Sequence, residues 1–290
     1  MTEEERANKN AVFGAPPVDP RGVPVQTFAE RVRSDFNMDI PSEVVPLPST
    51  GLCYPPSHPF HGRESVDIYA MSTREEDILT NAALLKKGTV ISELIRSCLV
   101  EKRIDSSDLL TGDRNALMVA IRITGYGKDY PAQVTCDSDE CQTQFENEFN
   151  LLELPIQRLE LQPLSVGQNL FEFVLPVTKK LVKFRFLTGR DEEEMIATAA
   201  QQKKHNLPSG ATNVTTSLLR SLVSVDGIED RSKLANFVKA MPARDSLSLR
   251  TYIRNNEPGI RMRQTVVCPS CEHESEVSMP IGANFLWPNS

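Results

Sequence analysis

Apolar side chains recur at helical spacing from residue 72 onward. Ile78, Leu79, Ala82 and Leu85 mark one run, Val90 to Leu99 a second, and Leu117, Met118 and Ile121 a third. Ser72-Thr73-Arg74-Glu75 fits a capping box, and Glu75, Glu76 and Asp77 fall in a first turn, where the helix dipole favours negative charge. Asp113 is placed to cap the third helix, which should end at Gly125-Tyr126-Gly127. After Pro131 the period shortens to strand-like segments around Cys136 and Cys141. Residues 1–45 show neither period. They carry Pro16, Pro17, Pro20, Pro24 and Pro41, and half of the chain's 20 prolines lie in the first 60 residues. That stretch is read as a flexible N-terminal arm. Within it, residues 26–38 predict a short helix on which Phe28, Val32 and Phe36 share one face. These three would contact a partner on which the arm orders; the plainer reading is a disordered tail with scattered apolar residues.

The pattern then runs a second time. Leu47-Pro48 is answered by Leu175-Pro176, and Met71 to Asp77 by Leu187 to Glu193. Leu94-Ile95-Arg96-Ser97 returns as Leu218-Leu219-Arg220-Ser221, and Asp113 to Leu117 as Asp245 to Leu249. Cys136 and Cys141 correspond to Cys268 and Cys271. One such match is weak, but five in the same order predict an internal duplication. The expected fold is α+β: two pseudo-symmetric repeats, each a small β element plus helices ending in a cysteine-bearing β-hairpin. The domains would be the arm at 1–45, a first repeat at 46–154, a linker at 155–169 and a second repeat at 170–290.

Composition narrows the function. The 40% hydrophobic and 24% charged fractions belong to a globular chain, and no apolar run reaches the roughly 18 residues a membrane-spanning helix needs. The acidic, polar start MTEEERANKN is unlike a secretory signal. A net charge of -7 disfavours binding to a phosphate backbone. No nucleic-acid or membrane partner is therefore expected.

Six cysteines in a chain with no export signal point to a reducing compartment and to metal binding or burial. Cys136-x4-Cys141 and Cys268-x2-Cys271 can each offer two thiolates from one turn, and two such turns complete a four-thiolate, zinc-ribbon-like site. The gap of about 126 residues between the pairs is long for a compact ribbon, but follows if each repeat supplies one knuckle. One structural Zn2+ per chain would then join the halves, with no coordination position left for water or substrate. Free thiols or a redox CxxC are the alternatives, and the latter lacks a thioredoxin-like context. Cys98 reads as a small core residue, and Cys53 has no assigned role.

No catalytic constellation emerges. His58 and His61 flank Pro59-Phe60 and read as an exposed loop, His205 as a helix C-terminus, and His273 as an accessory or solvent group beside Cys271. Asp191-Glu192-Glu193-Glu194 is explained by dipole stabilisation and solvation at a helix start. Walker, G-x-S-x-G, G-x-G-x-x-G and H-E-x-x-H motifs are missing from the sequence, so a non-enzyme is expected.

Several stretches together resemble a known family. They are Asp113-Arg114-Asn115-Ala116-Leu117, Ile121 to Tyr130 with the following knuckle, and Phe184-Arg185-Phe186-Leu187-Thr188-Gly189-Arg190. The ending from Cys268-Pro269-Ser270-Cys271 through Met279-Pro280-Ile281-Gly282 to Phe285-Leu286-Trp287-Pro288 joins them. The constellation is similar to the baseplate hub and hub-assembly proteins of contractile-tailed, T-even-type phages. It covers most of residues 46–288, and the x4 spacing of Cys136 and Cys141 departs from a tighter CxxC. The resemblance implies a structural component of the tail baseplate, assembled in the host cytoplasm and located in the virion. Its partners would be other hub proteins and the tape-measure protein in a symmetric hetero-oligomeric assembly, with no catalytic residues carried over. A hub-assembly chaperone absent from the virion is the alternative. A zinc-ribbon nucleic-acid regulator is remote, because Asp137, Asp139, Glu140, Glu272, Glu274 and Glu276 surround the knuckles.

Overall fold

The computed structural model describes residues 33, 35–204, 214–279 and 283–286. It divides into two units, Met1–Pro41 and Ser42–Ser290. In the first, residues 33, 35 and 36 are helical, the Arg33 guanidinium pairs with Asp39, and Phe36 is 76% exposed. Phe28 and Val32 lie outside the described residues.

The second unit opens with β1 (Ser42–Pro46) paired antiparallel to β2 (Ser65–Tyr69). The intervening loop is packed, contrary to the exposed loop expected around its histidines. Leu47, Tyr54 and Phe60 are buried, the Tyr54 and His58 rings stack 4.6 Å apart, and His61 Nδ1 lies 2.6 Å from the Tyr54 carbonyl oxygen. Gly51 makes this possible: at φ +73 its Cα passes so close to the Phe60 carbonyl that a Cβ would sit 2.3 Å from that oxygen.

Helices α1 (Thr73–Leu79), α2 (Ala82–Lys87) and α3 (Val90–Cys98) follow. The capping box forms, with Glu75 accepting from the Ser72 N–H and hydroxyl and reaching on to the Ser97 hydroxyl at 2.5 Å. Helix α3 buries Val90, Leu94, Ile95 and Cys98 along one stripe. The long α4 (Thr111–Tyr126) buries Leu117, Met118 and Ile121, as their spacing predicts. It stops at Gly127, whose φ of +84 suits only glycine well. The hairpin β3 (Asp129–Thr135) and β4 (Gln144–Asn150) closes this half.

Residues 155–169 do not run free. β5 (Ile156–Gln157) pairs with β9 (Gly259–Ile260), and the Leu159 and Gly167 N–H groups donate to the Pro48 and Leu52 carbonyls. The second half begins with β6 (Phe171–Val174) and β7 (Leu181–Phe184), then α5 (Gly189–Lys204) and α6 (Val214–Ser221). β8 (Leu222–Val225) joins β7 to make a three-stranded sheet in the order β6-β7-β8. At the corresponding place in the first half Leu99 makes only an isolated bridge to Ile68 of β2. Helices α7 (Arg231–Ala240) and α8 (Ala243–Asn256) lead through β9 to the hairpin β10 (Arg263–Val267) and β11 (Glu274–Ser278).

One continuous core runs through both halves. At their junction the Thr111 N–H donates to Leu187 O at 3.0 Å and the Gly189 N–H to Leu109 O at 2.9 Å. Arg114, 3% exposed, donates to Ser92 Oγ and the Ser106 carbonyl and lies 3.5 Å from Glu192. The acidic run at the start of α5 therefore does more than face solvent. Asp191 caps its own helix through Thr188 and pairs with Arg185, Glu192 faces Arg114, Glu193 bonds Ser92, and Glu194 pairs with Arg220.

Candidate metal centre

Each knuckle is built by a tight turn at the end of a hairpin. Cys136 follows β3 directly and Cys268 follows β10, so each sits where its strand runs out. The Cys136 N–H donates across the turn to Thr143 O at 3.0 Å, and the Cys268 N–H to His273 O at 2.9 Å. The residue after the second cysteine takes a left-handed conformation in both, Gln142 at φ +47 and Glu272 at φ +59. That bend turns the second thiol back toward the first. In the longer knuckle the Cys141 and Gln142 N–H groups both donate to Ser138 O, which folds the extra residues into the turn.

The two hairpin tips meet. Cys136 Sγ lies 3.7 Å from Cys271 Sγ, and Cys141 Sγ lies 3.8 Å from Cys268 Sγ; all four sulfurs fall within 4.8 Å of one another. Four thiolates about 2.3 Å from one tetrahedral ion are separated by about 3.8 Å, so the cluster is compatible with a metal site. All six cysteines are free thiols. Cys136 and Cys268 are buried, Cys141 partly so, and Cys271 is exposed. The Thr143 hydroxyl, 3.1 Å from Cys141 Sγ, leads the groups that hold the Cys141 thiol low. Against the His273 backbone N–H, the neighbouring sulfurs push the Cys271 thiol up, so the sulfurs share protons in the absence of a cation. His273 stays out of the cluster, with Nε2 2.8 Å from Asp137 Oδ1.

The remaining cysteines are unlike these. Burial pushes the thiols of Cys53 and Cys98 up to about 12, so both stay protonated in the core. Among the described residues, His58 and His61 join no metal-ligating group.

The first half carries a further likeness. Residues 47–166 match the T4 bacteriophage base plate protein family. The segment covers the packed loop, helices α1 to α4 and the first knuckle, and ends before the second half begins. The later stretches that resemble phage baseplate proteins lie beyond it. The match supports a baseplate family of T4-type phage without singling out one member. No curated protein and no solved structure gives a match. Among the described residues no helix is long and apolar enough to cross a membrane.

Sequence reasoning pointed to the four cysteines but missed a contact between the two tips. Asp137 and Ser275 face one another across the two tips, Ser275 Oγ donating to Asp137 Oδ1 at 2.9 Å. The available signal was alternation, since Ser275 and Val277 share one face of β11 opposite Glu274 and Glu276.

Proposed function

We propose that this chain is a non-enzymatic structural component of a contractile-tail baseplate, placed in its central hub region as an adaptor to neighbouring tail proteins. The match of residues 47–166 to the base plate family carries the reading. A duplicated architecture would suit the adaptor role, and two equivalent contacts favour it. Asp113 and Asp245 each occupy the third position of a helix, and each receives hydrogen bonds from the loop after a Leu-Pro pair, Leu47-Pro48 or Leu175-Pro176. Two like halves would offer two like faces to neighbours. The four cysteines hold one structural Zn2+, the common ion of a closed tetrathiolate site. With four protein ligands the ion would bind the halves together and leave no site for chemistry.

Quantitative mass spectrometry of purified particles tests the placement. A fixed low copy number relative to the tail-tube protein is the expected result. Absence from particles, with abundance in infected cells, would overturn it in favour of an assembly factor. Elemental analysis of the purified chain should find one zinc per chain.

A further inference from the structure

We infer that Asp137, His273 and Ser275 hold the two knuckles in register without the ion, so that the four-cysteine site is assembled before metal arrives. The inference rests on the metal reading above and adds how the site is positioned. Asp137 directly follows Cys136, yet its side chain reaches the opposite hairpin. Its Oδ1 accepts from the Ser275 hydroxyl at 2.9 Å and lies 2.8 Å from His273 Nε2, while its backbone N–H donates to Ser275 Oγ at 3.2 Å. Ser275 is 1% exposed, so water competes poorly for its two bonds to Asp137, whereas the Asp137–His273 contact is open to solvent. His273 is also fixed within its own turn, since its carbonyl accepts the Cys268 N–H.

The contacts fix one residue beside Cys136 to two residues that close the Cys268–Cys271 turn. Such a cross-tie sets which thiol meets which. With it in place Cys136 faces Cys271 and Cys141 faces Cys268. A one-residue slip of either hairpin would turn alternate side chains to the other face and scatter the sulfurs. The tie also works against charge. Asp139, Glu140, Glu272 and Glu274 are exposed around the tips, and without a cation these carboxylates and any thiolate repel across the gap. Asp137, His273 and Ser275 are thus positioning residues for the ligands.

Cobalt titration of the full purified chain, with zinc competition, tests this. The wild-type chain should bind one Co2+ with a tetrahedral tetrathiolate spectrum. Asp137→Ala and Ser275→Ala should keep that stoichiometry and spectrum but bind about 10- to 100-fold more weakly. Asp137→Asn, which retains the Oδ1 acceptor, should recover most of the affinity, whereas Cys268→Ser should lose the spectrum. Binding by Asp137→Ala within twofold of wild type would overturn the inference. A wild-type chain that binds neither ion would instead sink the metal reading. The tie would then stand or fall on hydrogen exchange of the metal-free protein. Faster exchange at both hairpin tips in Asp137→Ala would uphold it, and unchanged exchange would overturn it.

Discussion

Asp113 and Asp245 stand at the third position of α4 and α8, and each carboxylate gathers donors from a distant loop. The sequence marks Asp113 as a helix cap, but Leu110 holds that place, no side chain caps the helix, and the Asp113 carboxylate turns to a distant loop instead. It accepts from the Ser49 N–H at 2.9 Å, the Ser49 hydroxyl at 2.5 Å and the Tyr54 hydroxyl at 2.6 Å, pinning a loop about 60 residues away. No local pattern announces partners at that separation. Burial pushes both the Asp113 carboxyl and the Tyr54 phenol up, so Tyr54 keeps the proton it donates. Asp245 differs: against the cost of burial, the Val177 and Thr178 amides and the Thr178 hydroxyl hold its carboxyl low. Asp113→Ala would leave three donors unpaired in the core and should lower stability by roughly 3 kcal/mol in urea denaturation. Glu257 makes a pH prediction. Burial, with Glu192 nearby, raises its carboxyl to about 7, and Arg261 only partly offsets this. The folded chain therefore keeps a proton that the unfolded chain loses from about pH 4.5, the ordinary value. Its contribution is favourable in acid and is lost as pH rises toward 7. Glu257→Gln should flatten that dependence and stabilise the chain by roughly 1–2 kcal/mol at pH 8.

At the scale of elements, the long and strongly patterned segments were legible and the short ones were not. The capping box of α1, the buried stripe of α3 and the hairpins carrying the cysteines follow from periodicity and spacing. β5 and β9 have two residues each, and their pairing comes from the docking of residues 155–169, which no local pattern encodes. The acidic start of α5 shows the same limit. Helix-dipole logic explains why acids stand there, but not that Arg114 and Ser92 lie opposite. Gly112 and Gly189 mark how closely the elements approach. A Cβ at Gly112 would lie 1.7 Å from the Pro258 carbonyl oxygen, and one at Gly189 would lie 2.0 Å from Arg114 Nη1. Alanine in a helix is ordinarily favoured over glycine by about 1 kcal/mol. Here the sign should reverse, with Gly112→Ala destabilising by about 2–3 kcal/mol because the obstacle is backbone. Gly189→Ala should cost less, since a guanidinium can shift. Comparing the two thermal midpoints checks both the sign and the order.

For the whole molecule, the question is whether the two halves unfold together. The order of their elements suggests two separable modules, and a metal joining only the hairpin tips would fit modules that part when it is removed. Residues Ser42–Ser290 instead form one compact unit with a single core, and the halves also meet through β5 with β9 and through Arg114 with Glu192. Breaking the cysteine site removes one joint of several. It should weaken the whole cooperative unit without freeing either half. An ion present at 1,000 times its dissociation constant stabilises the folded chain by about 4 kcal/mol, and the same amount is lost when it is stripped. Cys268→Ser, or chelation of the wild-type chain, should therefore lower Tm by several degrees while calorimetry still records one transition for this unit. Two resolved transitions, one insensitive to chelator, would show that the halves are coupled through the cysteine site alone.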